Sequence, residues 1–91
     1  HNILHLAGKE NENLDSVKFL FECLKNEIGV EEFQRMLQEL DETRVYPIHY
    51  ASNSKNYKVF DFYREVNDIY FGNGYADKML LLWPWKVMLS D

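Results

Sequence analysis

Apolar residues recur three and four positions apart along most of this chain, and polar breaks cut the pattern into six helical stretches. The clearest lies at 14–28, where Leu14, Val17, Leu20, Phe21, Leu24 and Ile28 fall on one face. Asn13 is placed to cap it, Asp15 suits the positive end of its dipole, and Gly29 stops it. Phe19 and Cys23 sit off that stripe and widen the apolar surface enough for neighbours on two sides. A third helix is predicted over 30–40 from Val30, Phe33, Met36, Leu37 and Leu40, with Glu31 paired to Arg35. Short helices are predicted over 2–10, capped by Asn2, and over 47–54, opened by Pro47. Val59, Phe60, Tyr63 and Val66 predict a fifth helix over 57–66. Beyond Asn67 the period fades, Gly72-Asn73-Gly74 reads as a turn, and a last short helix over 77–83 is predicted to end at Pro84.

Composition narrows the class. At 91 residues and 46% hydrophobic, the chain is one ordered domain, and one this short buries roughly 60–65% of its surface. A net charge of −5 with no basic run argues against nucleic acid, whose binding rests on clustered Lys and Arg. The longest apolar run, 79–85, falls far short of the roughly 20 residues that span a bilayer. One cysteine, Cys23, excludes an intrachain disulfide, and no leader-like stretch is visible. Together these lean towards a reducing compartment, cytoplasmic or nuclear. The chain opens on His1 where Met would be expected, which predicts a piece of a longer protein.

Two stretches echo each other. Tyr46-Pro47-Ile48-His49-Tyr50-Ala51 and Asn2-Ile3-Leu4-His5-Leu6-Ala7 both read apolar–His–apolar–Ala. They resemble the T-P-L-H-x-A signature of ankyrin repeats, units of about 33 residues made of a turn and two antiparallel helices. In the fuller family pattern D-x-x-G-x-T-P-L-H-x-A, the residues Asp41, Pro47, Ile48, His49 and Ala51 stand at matching positions. Val59, Phe60 and Tyr63 fall where the family places apolar residues of the second helix. In the first unit Asn2, Leu4, His5, Leu6 and Ala7 match, with Ile3 in place of Pro. The departures are Arg44 for the turn Gly, Tyr46 for the Thr that ties the helix start, and Lys55 for the Gly between the helices. Each lost Gly removes an easy positive-φ residue, so less regular turns are expected.

The resemblance implies an all-α fold: an ankyrin-like helical-pair array with a long helical insertion between repeats and an irregular C-terminal segment. Two repeats, about 2–40 and 41–66, would fill residues 1–66, and 67–91 would pack on the last helix. It also implies a protein-binding scaffold without catalytic activity, its partner a protein or the neighbouring repeats of a longer chain. The implied surface is Glu42, Thr43 and Val45 in the turn, Asn53 and Ser54 on the helix, and Lys9 and Glu10 in the first unit. The alternative is a structural piece of a larger array in a channel or receptor. Two repeats leave apolar ends open, and such arrays need about three repeats or polar caps. A marginally stable chain that self-associates through its N-terminal end is therefore expected.

Other chemistry is thin. His1 and His5 stand four apart, yet zinc wants three or four ligands, and Cys23 and His49 show no ligand spacing. Neither a metal nor a cofactor is expected. The resemblance makes His5 and His49 structural, with ring nitrogens bonded to backbone near the turns. Cys23, mid-helix among apolar neighbours, is expected to be inert. Glu31/Glu32 and Asp41/Glu42 read as solvated faces, and Gly72-Asn73-Gly74 lacks the Lys-Ser/Thr of a phosphate loop. The Leu- and Trp-rich stretch 79–85 reads as a cover for the exposed end of the stack, with a membrane-surface anchor and a partner-docking patch as alternatives.

Overall fold

A computed structural model describes residues 2–10 and 13–90, with 83–90 as backbone only. It holds six α-helices: α1 (Ile3–Glu10), α2 (Leu14–Ile28), α3 (Val30–Leu37), α4 (Pro47–Ser52), α5 (Tyr57–Phe71) and α6 (Tyr75–Ser90). No strand occurs among the described residues, so the fold is all-α. The Cα radius of gyration is 12.4 Å, close to the ~12 Å of a compact domain of this length, so the helices form one body.

Local chemistry explains the starts and stops. Asn2 Oδ1 accepts from the N–H groups of Leu4 (2.8 Å) and His5 (3.2 Å), and Asn13 Oδ1 accepts from Ser16 N (2.8 Å). Each cap satisfies donors that a helix start leaves open. Gly29 at φ 88° and Gly72 at φ 111° end α2 and α5, and each returns its N–H to the carbonyl four residues back.

The short helices α1 and α4 lie against each other, α4 also touches α6, and the long helices α2 and α5 run side by side. Leu4, Ile48, Ala51, Val59, Tyr63, Phe21, Phe33 and Leu37 form the core between these rows. Phe33 of α3 meets Phe21 of α2 at 5.3 Å and Tyr70 of α5 at 5.9 Å between ring centroids, so α3 is wedged under the α2–α5 seam. The Tyr63 hydroxyl donates to Leu4 O at 2.8 Å, tying α5 to α1.

Several expected boundaries are corrected. The third helix ends at Leu37 rather than 40, and Leu40 leaves the buried face at 46% exposure. Arg35 pairs with Glu32 and Glu39, not with Glu31. The helix at 47 stops at Ser52. The fifth helix continues to Phe71, because Asn67 and Tyr70 extend its inward stripe and a buried asparagine disguises the period. The C-terminal segment is not irregular: 67–71 completes α5, and α6 runs from Tyr75 through Pro84 to Ser90. Proline there removes one ladder bond, and strong helix formers on both sides carry the helix across it. Ala76, Met79 and Leu80 of α6 join the core, while the side chains of Trp83 and Trp85 lie outside the described residues.

Candidate functional site: a histidine-held turn and the helices it joins

The two echoing stretches carry the same hydrogen bonds. In α1, His5 Nδ1 accepts from Asn2 N at 3.0 Å, and its Nε2–H donates to Val45 O at 3.0 Å. In α4, His49 Nδ1 accepts from Tyr46 N at 2.9 Å, and its Nε2–H donates to Met79 O at 2.9 Å. Each ring closes the start of its own helix and fastens a distant segment, the turn before α4 for His5 and α6 for His49. Both histidines are fully buried, and burial lowers both pKa values, His49 to about 4. An acceptor Nδ1 beside a donor Nε2 selects the neutral ring, so these groups are fixed struts rather than proton carriers.

Between them lies a turn built on Asp41. Its Oδ1 accepts from Thr43 N (2.8 Å), Thr43 Oγ1 (2.7 Å) and Val45 N (3.2 Å), and the Tyr50 hydroxyl donates to Oδ2. Burial raises the carboxyl pKa, but the bonds from Tyr50 and Thr43 outweigh it and hold the group at about 2. Arg44 sits at φ 64°, the left-handed region where the resemblance places a glycine.

The proposed surface residues separate. Glu42 and Thr43 are exposed on the turn, and Arg44 between Thr43 and Val45 is exposed too, a position the sequence reading passed over. Val45 is corrected: it is buried at 4% exposure and its carbonyl is committed to His5, so it presents nothing to a partner. Asn53 is exposed at the end of α4, and Ser54 is half-buried with its hydroxyl on Ala51 O. Lys9 and Glu10 are exposed at the end of α1. The motif residues Leu4, His5, Asp41, Pro47, Ile48, His49 and Ala51 are buried, and Ala7 is half-buried.

Two features escaped the sequence. At Gly8 an added Cβ would stand 3.0 Å from Ala51 N and 3.1 Å from Pro47 O, so α1 and α4 approach backbone to backbone there. A glycine four residues after a leucine on the inward face was the available signal. Along the α2–α5 seam, a cleft of about 340 Å³ is floored by Phe21, Phe33, Phe62 and Val66. Its lining carries Lys18 and Lys25 with Glu22 and Glu65, so its formal charge is balanced. Cys23 is exposed rather than buried among its neighbours. Among the described residues, no three metal-ligating side chains converge and no helix is long and apolar enough to cross a membrane; His1 lies outside them.

Comparison with protein-family models, with curated proteins and with solved structures finds no match.

Proposed function

We propose that this chain is a protein-binding scaffold of ankyrin-like helical pairs, with no catalytic activity of its own. The observation that carries the reading is the repeated histidine geometry: His5 and His49 each bind the backbone of their own helix start and a backbone carbonyl thirty or more residues further along the chain. Such a device spends its polar chemistry on rigidity and leaves the turn residues outward. Glu42, Thr43 and Arg44, with Asn53, Lys9 and Glu10, form the surface offered to a protein partner. A turn fixed in advance by Asp41 loses little entropy on binding, which is what a recognition surface gains from preorganisation.

Site-specific photo-crosslinking tests this. A crosslinker at Thr43 or Asn53 should give protein adducts in cells, and one at Asp61, exposed on α5, should not. Adducts confined to Asp61, or none from any position, would remove the turn surface from consideration.

A further inference from the structure

The turn Gly72-Asn73-Gly74 joins α5 to α6 and takes no part in the surface around Asp41. Tyr75 N donates to Gly72 O at 3.1 Å across it, and Gly74 stands at φ 86°, the left-handed value a type II turn demands of its third residue. Asn73 is exposed, and among the described residues neither its side-chain amide nor the N–H of Gly74 has a hydrogen-bond partner. The other described asparagines are held. Asn2, Asn13 and Asn56 each cap a helix start through Oδ1. Asn26 and Asn67 lie inside α2 and α5, where the amide that follows belongs to the helix ladder. Asn53 is exposed, but the N–H of Ser54 after it donates to Ala51 O at 3.2 Å. At Asn73 alone among these, an unbonded side-chain amide adjoins an unbonded backbone N–H. The residue that carries this N–H is a glycine, with no side chain to hinder their approach.

We propose that Asn73 is a site of spontaneous deamidation and that its isoaspartate product uncouples α6 from α5. The backbone nitrogen of Gly74 attacks Cγ of Asn73. The N–Cγ bond forms, the Cγ–Nδ2 bond breaks, and the side-chain nitrogen leaves as ammonia with the proton of the Gly74 amide. Water then opens the cyclic imide. Cleavage at Cγ gives aspartate on the original backbone. Cleavage at the backbone carbonyl gives isoaspartate, whose main chain runs through Cβ and Cγ and is one carbon longer. The added length falls inside a turn bridged twice, by Tyr75 N to Gly72 O and by Ala76 N to Asp68 Oδ1 at 2.9 Å. Both bonds hold the start of α6 to the end of α5, and one turn further along α6 the carbonyl of Met79 receives His49. The aspartate form keeps this geometry and places its charge beside the positive end of the α6 dipole.

The test holds the purified chain at pH 7.5 and body temperature for several weeks. Peptide mapping separates the asparagine, aspartate and isoaspartate forms at each position. Asn73 should convert at least tenfold faster than any other asparagine. Its rate should also lie within threefold of that in the urea-unfolded chain, because the turn restrains neither reacting group. A folded chain that converts tenfold more slowly than the unfolded one, or that converts faster at Asn53, would overturn the site. The isoaspartate fraction should then unfold at a lower urea concentration than fresh protein and exchange the Ala76 amide at least tenfold faster. Asn73→Asp should match fresh protein in both readings, and Asn73→Ser, aged in parallel, should keep its own starting values. An isoaspartate fraction as stable and as protected as fresh protein would overturn the uncoupling, as would equal losses in aged Asn73→Ser.

Discussion

The ring of His5 and the carbonyl of Val45 meet at 3.0 Å although forty residues of chain separate them. That bond closes the whole α2–α3 excursion onto the turn before α4. Burial, with Nδ1 accepting a backbone N–H, commits His5 to the neutral form, as it does His49.

Acid should therefore weaken the fold in two stages. Both histidines have folded-state pKa values below the 6.5 of an unfolded chain, so the unfolded state binds protons first. Stability is complete above pH 6.5 and falls as pH drops through the window down to about 4. For His49 a displacement of that size amounts to about 3 kcal/mol once the window is crossed. Asp41 acts lower, since its stabilisation is present above 3.8 and is lost as pH falls towards 2. Urea midpoints at pH 7.5, 6 and 4.5 check this. A flat profile between 7.5 and 4.5 would mean that the imidazoles are not held neutral.

Arg44 offers a substitution that should stabilise. An L-residue at φ 64° carries a strain of about 1–2 kcal/mol that glycine lacks. Glycine adds backbone entropy to the unfolded chain, about 0.5–1 kcal/mol against it. Arg44→Gly should accordingly raise stability by about 0.5–1 kcal/mol in chemical denaturation. A loss of stability would show that the Arg44 side chain contributes packing that outweighs the strain.

Gly8→Ala should go the other way. In an isolated helix the change is favourable by about 1 kcal/mol. Here the new methyl would meet two backbone atoms, Ala51 N and Pro47 O, at 3.0 and 3.1 Å. Neither can rotate aside as a side-chain tip would, and overpacking of this sort costs about 1–3 kcal/mol. Net destabilisation is expected, read as a lowered urea midpoint. A raised midpoint would place α1 and α4 farther apart than described.

How much of this was legible in the sequence depends on what each residue had to reveal. The period of Leu14, Val17, Phe21, Leu24 and Ile28 with the Asn13 cap located α2 to the residue, because all the signals were local. His49 and Pro47 could be placed because their chemistry is tied to a helix start a few residues away. The reading of Asp41 with Glu42 as a solvated face is corrected: Asp41 is buried, its carboxylate bonded by Thr43, Val45 and Tyr50. Asn67 hid the length of α5: a polar side chain on the inward face, with its Nδ2 donating to Tyr63 O, breaks the apolar count without breaking the helix. Val45 looked like a turn residue because its burial depends on His5, far away in sequence. Gly8 carried only the weak signal of a glycine four residues after an inward leucine, since a close approach of two helices is a property of the pair.

Helix α3 supplies the last test, through the contrast between Phe33 and Leu40. Sequence period put both on one buried face of a helix over 30–40. In the fold the helix stops at Leu37, Phe33 is fully buried between Phe21 and Tyr70, and Leu40 is 46% exposed. The end of α3 is also clasped from α1, where Asn2 Nδ2 donates to Met36 O at 3.0 Å and Glu39 Oε1 at 2.7 Å. Phe33→Ala should cost about 3–5 kcal/mol, the range for an aromatic removed from a packed core. Leu40→Ala should stay within about 0.5 kcal/mol, as for an exposed site. Hydrogen exchange gives an independent reading: amides late in α3, which bond back along the helix, should be protected, and Leu40 should exchange freely. Equal costs for the two substitutions would mean that the helix runs on to residue 40 after all. A small cost at Phe33 would mean instead that α3 is not wedged under the α2–α5 seam.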